Sequence, residues 1–186
     1  MAIEFNLPTN LTLLRIALIP LLAIVFYLPW QYSNIACTGI FIIAAFTDWL
    51  DGYLARKMNL ETAFGAFLDP VADKLMVAIV LVLIVQEHNN VLLTIASAVI
   101  IGREITIASL REWMAEIGQR AAVKVSPLGK WKTSVQMLAI GFLLFQDDVL
   151  GMPVTLIGNW LLYVAAILTL WSMVNYLSAA YIILKE

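Results

Sequence analysis

Residues 47–74 read TDWLDGYLARKMNLETAFGAFLDPVADK, a stretch in which two pairs of aspartates stand among apolar and small residues on either side of a polar link. Asp48 and Asp51 stand three apart, and Asp69 and Asp73 four apart. Either spacing puts a pair on one face of a helix. The link between the two acidic segments is short, so the helices that carry them are predicted to be antiparallel neighbours. Both acidic ends then lie on the same side, and four carboxylates can converge.

Working outward, the flanks say what kind of protein holds this cluster. Of 186 residues, 62% are hydrophobic and only 13% charged, about half the charged share of a soluble domain. A soluble fold of this length could not cover so much apolar surface, whereas helices solvated by lipid can. Six apolar segments are drawn at 10–28, 33–56, 65–86, 91–110, 128–145 and 154–184, most of them near the ~20 residues that cross a bilayer core. A strand reading fails, because the runs are too long and open sheets cannot face lipid. The expectation is an all-α membrane protein of six transmembrane helices, folded as a single domain over 1–186. No linker, low-complexity tract or clear repeat divides it. The opening MAIEFNLPTN lacks the basic residues and cleavage pattern of a signal peptide. A net charge of −2 gives no basic field for nucleic acid. Cys37 is the single cysteine, which excludes an intrachain disulfide or a thiolate zinc site.

Positive residues orient the chain. Arg15, Arg56, Lys57, Lys74, Arg103, Arg111, Arg120, Lys124, Lys130, Lys132 and Lys185 make up all eleven Lys and Arg. All fall on or near the side shared by both termini and the loops around 56–64 and 111–132. The opposite connections, 29–32, 87–90 and 146–153, contain none. The basic side, with the acidic cluster, is predicted to face the cytoplasm.

Ionisable residues within spans are costly and mark function. Four clustered anions in a low dielectric repel one another, and divalent cations relieve that repulsion. Oxygen ligands suit hard ions such as Mg²⁺ or Mn²⁺, and two such ions would leave positions open for phosphate oxygens. Gly52 lies four after Asp48 and Ala55 four after Asp51, leaving room for a phosphate ester, and Arg56 adds a fixed charge for a diphosphate. The plainer reading has the aspartates capping helix ends or pairing with Arg56, Lys57 and Lys74. A divalent-cation carrier is the alternative from a different class. Against it, the outer halves of the spans hold no ionisable ladder.

Asp48-x2-Asp51-Gly52-x2-Ala55-Arg56-x8-Gly65-x3-Asp69-x3-Asp73 resembles, at every fixed position, the signature of the CDP-alcohol phosphatidyltransferase (phosphotransferase) family. The resemblance implies a six-helix homodimer with a two-metal site open to the cytoplasm. It implies Asp48, Asp51, Asp69 and Asp73 as ligands of two Mg²⁺ or Mn²⁺ ions, with Asp73 also the general base. It further implies Gly52, Ala55, Arg56 and Thr62 against the CDP part of CDP-diacylglycerol. Asn10 and Thr12, before the first span, resemble a family segment near the nucleotide; Thr9 or Asn10 after Pro8 also makes an ordinary helix N-cap.

The acceptor is read from a second, basic cluster. Arg103 lies in an apolar run, where arginine needs a reason, and Arg111 is two turns on along roughly the same face. With Lys130 they could bind the phosphate of an acceptor near the metal site. Arg120, Lys124 and Lys185 read as positive-inside topology and snorkelling. Residues 7–15, 67–76, 102–116 and 129–133 resemble the bacterial branch of the family that makes phosphatidylglycerol phosphate in the inner membrane, with glycerol 3-phosphate as acceptor. Related members use inositol phosphate. The expected chemistry is attack of an acceptor hydroxyl, deprotonated by Asp73, on the lipid-bearing phosphorus, with CMP leaving. His88, the only histidine, reads as a loop residue on the far side, and Ser126 and Ser134 lack a histidine partner, which argues against a hydrolase. Trp30, Trp113, Trp131 and Trp160 read as interfacial anchors, and Met76, Met137 and Met173 as packing.

Overall fold

A computed structural model describes residues 6–58, 62–119, 127–149 and 151–185. Six helices follow one another: α1 (Leu7–Phe26), α2 (Ser33–Met58), α3 (Ala63–His88), α4 (Val91–Glu116), α5 (Pro127–Phe145) and α6 (Val154–Leu184). Their order and number match the six predicted segments. Among the described residues four are long and apolar enough to cross a membrane: Leu7–Phe26, Ser33–Leu54, Val91–Glu116 and Val154–Tyr181. α3 is not among them, for a visible reason. In α3 the charges of Asp69, Asp73 and Lys74 crowd one end and Glu87 the other, so only residues 75–86 are uncharged, about 18 Å of helix against a core of ~30 Å. In α5 the described side chains run from Trp131 to Phe145.

Two compact units are present, Met1–Ile84 with Leu144–Asp147, and Val85–Leu143 with Asp148–Glu186. In the first, α1 packs against α2. The start of α1 is set by Asn6, whose side chain accepts from the Thr9 amide at 3.0 Å, with Pro8 in the first turn where its missing N–H is harmless. The cap is therefore Asn6 rather than Thr9 or Asn10. Along α2, Cys37, Phe41, Ala44, Thr47 and Asp51 are buried, a stripe at three- and four-residue spacing. The acidic site thus continues the core face. On the opposite face Phe46, Trp49 and Tyr53 are exposed; Trp49 and Tyr53 stack at 5.9 Å, and Lys57 stands 5.5 Å over Tyr53.

In the second unit α4 packs against α6 through Ile107, Leu110, Met114, Tyr176 and Ala180. Gly158 lets α6 approach α5: a Cβ there would meet Leu143 Cγ at 2.9 Å. Large apolar side chains face outward throughout, among them Ile42, Ile43, Ile167 and Trp171. Water would penalise that surface at roughly 25 cal/mol per Å², whereas lipid does not.

Candidate active site

Three helices of the first unit bring the polar groups together. Thr9, Thr12, Arg15, Ile19 and Leu22 form the buried face of α1, so the helix presents a hydroxyl and a guanidinium among apolar neighbours. Arg15 is 1% exposed. Its Nη1 pairs with Asp48 at 3.0 Å and with Asp73, while its Nη2 pairs with Asp51. The Thr12 hydroxyl lies 2.5 Å from Asp69 Oδ1, with Asp51 at 3.5 Å and the Pro8 carbonyl at 3.2 Å as weaker acceptors. The convergence expected of the two acidic pairs is therefore present, and all four carboxylates touch α1. Asp51 lies deep, its side chain 3% exposed, whereas those of Asp48 and Asp73 are 47% exposed.

Arg15 is the residue that the sequence reading passed over. It is the only charged residue in α1, and the argument applied to Arg103 applies to it equally. No ion pair joins the aspartates to Lys57 or Lys74 among the described residues, so in that part of the plainer reading the cationic partner is Arg15 instead. With the carboxylate oxygens turned to that guanidinium and to Thr12, no three acidic, His or Cys side chains form an ion-holding group among the described residues. Divalent cations are thus not the sole means of relieving the repulsion. The donor set nevertheless fits a hard cation, being all oxygen. Four carboxylates against one guanidinium leave a formal charge of −3.

Around this cluster, Gly52 is partly buried in α2. Thr62 caps α3, its hydroxyl accepting from the Gly65 amide at 3.0 Å, and lies 3.4 Å from the Thr9 hydroxyl. Gly65 leaves room there, because a Cβ would stand 3.1 Å from Thr62 Oγ1 and 3.4 Å from Thr9 Oγ1. Asn10 is exposed, on the side of α1 away from Thr12. The side chains of Ala55, Arg56 and Lys130, together with Arg120 and Lys124, lie outside the described residues.

The second unit holds the basic cluster. Arg103 donates to Glu104 at 2.9 Å and to the Ser172 hydroxyl at 2.9 Å, and Arg111 donates to the Tyr176 hydroxyl at 3.4 Å. Both guanidiniums stand 5.6 Å from the centre of the Tyr176 ring, within cation–π range. The two-turn spacing does bring them to one place. Glu104 also accepts from Lys132 at 2.7 Å, and Lys132 is 3% exposed. Glu104, Lys132, Ser172 and Tyr176 were not anticipated; a charged pair at 103–104 inside an apolar run is the signal that could have found Glu104. His88 ends α3 rather than sitting in a loop, with Nε2 3.4 Å from the Leu143 carbonyl. Trp30, Trp113, Trp131 and Trp160 are exposed and Met76 is buried.

Comparison with known proteins gives a consistent picture. Proteins from Escherichia coli strain K12, Salmonella choleraesuis strain SC-B67 and Shigella flexneri serotype 5b are each 52% identical to this chain over 177 residues, 95% of this chain and 96% of theirs. Each is a CDP-diacylglycerol–glycerol-3-phosphate 3-phosphatidyltransferase. The model of the CDP-alcohol phosphatidyltransferases matches residues 5–171, a span that contains the four aspartates and Arg103, Glu104, Arg111 and Lys132, and the chain belongs to that family.

Proposed function

We infer that this chain transfers the phosphatidyl group of CDP-diacylglycerol to glycerol 3-phosphate, giving phosphatidylglycerol phosphate and CMP. The observation that carries the reading is the gathering of Asp48, Asp51, Asp69 and Asp73 around α1 in a chain that is 52% identical to transferases with that activity. Family membership associates the chain with divalent-cation-dependent phosphotransfer. The four aspartates are the groups that would hold two Mg²⁺ or Mn²⁺ ions, which when bound supply charge stabilisation to the transferring phosphoryl group.

The protein's own residues do the rest. Thr12, Gly52, Ala55, Arg56 and Thr62, with the exposed Asn10, bind and orient the CDP moiety. Arg103, Arg111 and Lys130 bind the phosphate of the acceptor; the +2 left by Arg103, Arg111 and Lys132 against Glu104 supports that assignment. Asp73 takes the proton of the acceptor's 1-hydroxyl. That oxygen forms a bond to the lipid-bearing phosphorus, the diphosphate P–O bond breaks, and CMP departs with the electron pair. The enzyme acts as one domain, as a homodimer in the bacterial inner membrane, with its site and both termini facing the cytoplasm.

The test is CMP release by purified protein in detergent, with CDP-diacylglycerol, Mg²⁺ or Mn²⁺, and one acceptor at a time. Release with glycerol 3-phosphate alone, abolished by EDTA, is the expected result. Release with inositol phosphate instead would overturn the acceptor assignment, and no release from folded protein would return the cation carrier to the front.

A further inference from the structure

Arg15 has no role in the chemistry above, yet it is the most completely buried charge in the first unit. Its guanidinium cannot give up its proton, so it is a permanent cation. It reaches Asp51 at the bottom of the cluster, while Nη1 engages Asp48 and Asp73, two carboxylates exposed enough for water, and ions arriving from water, to reach. Its Nε has no partner among the described residues. Among the described residues, its guanidinium is held by the carboxylates of the acidic site.

We propose that Arg15 is the resident counter-cation of the carboxylate cluster: it holds the metal-free site together and competes with divalent ions for Asp48, Asp51 and Asp73, so that it sets how tightly they bind. Without it, three closely set carboxylates would face one another in a low dielectric whenever ions were absent. With it, each arriving ion must exchange contacts that Arg15 already makes and must also approach a like charge. This inference rests on the reading of the aspartates as ion ligands. It adds a residue from a helix outside the Asp48–Asp73 segment, and that residue weakens ion binding while stabilising the empty site. An ordinary structural arginine would do only the second.

The experiment is a Mn²⁺ titration of the full chain in detergent micelles, followed by loss of the free-ion paramagnetic resonance signal, with melting in EDTA measured in parallel. Arg15→Gln is expected to bind Mn²⁺ about tenfold more tightly or better, to melt lower in EDTA, and to gain more from added Mn²⁺ than wild type does. Arg15→Lys keeps the charge on a shorter reach and should show the same changes to a smaller degree. It carries the comparison if the glutamine variant does not fold. Unchanged or weaker Mn²⁺ binding in a folded variant overturns the proposal while leaving the function standing. Wild-type protein that binds no Mn²⁺ overturns both.

Discussion

In the first unit one guanidinium, touching three of them, stands against four carboxylates; in the second one phenol ring and one carboxylate are shared by three cations. Both clusters contain their own opposite charge, and in both it falls short. The acidic cluster is left at −3 and the basic one at +2. Full neutralisation would make each a structural salt-bridge network of modest worth. Incomplete neutralisation leaves each with a demand for a ligand of defined sign, cationic in one case and anionic in the other. The internal counter-ions offset the repulsion within each cluster, and the residual charge is available for binding.

The largest effect expected of breaking this contrast comes from the acidic side. Asp73→Asn keeps the shape but removes the base, and CMP release should fall by about 10²–10⁴ while the protein still inserts; near-wild-type turnover would remove Asp73 from that role. On the basic side the effect should be on binding. Arg103→Gln is expected to raise the KM for glycerol 3-phosphate by about 10- to 100-fold, as befits a lost charge-assisted bond, with the KM for CDP-diacylglycerol nearly unchanged. A parallel loss for both substrates would show a general structural role instead.

The acid pairs were legible in the sequence because both lie in one short stretch, where helical periodicity alone aligns them. Arg15 was not, because its partners are 33 to 58 residues away on other helices, and periodicity within one element says nothing about what crosses it. Arg103 and Arg111 were legible as a pair for the same local reason. Their partners on α6, Ser172 and Tyr176, and the Lys132 of α5 that shares Glu104 with Arg103, depend on packing and stayed hidden. The shortfall of α3 as a span could have been read from its charged ends, since the functional aspartates use helix length that would otherwise be apolar.

Two smaller tests sharpen the comparison. Glu104→Gln raises the residual charge of the basic cluster but strips Lys132 and Arg103 of their carboxylate. It should destabilise by about 1–2 kcal/mol after allowance for the partial exposure of Glu104, read as a lower melting temperature in detergent. Gly65→Ala places a methyl 3.1 Å from the Thr62 hydroxyl and should cost about 1 kcal/mol or less. If Thr62 contacts the nucleotide, the KM for CDP-diacylglycerol rises with it while that for glycerol 3-phosphate does not.

The two opposed faces of α2, acidic and small on one and aromatic on the other, make the helix sensitive to phase. One residue inserted between Phe41 and Ala44 would turn everything after it by about 100°. Asp51 would leave the side that meets Arg15, and the Trp49 and Tyr53 rings would leave lipid. Seven inserted residues, nearly two full turns, would restore the angle to within about 20° at the expense of depth. Insertions here should therefore be tolerated or rejected according to the rotation they impose, and a longer insertion can do less harm than a single residue.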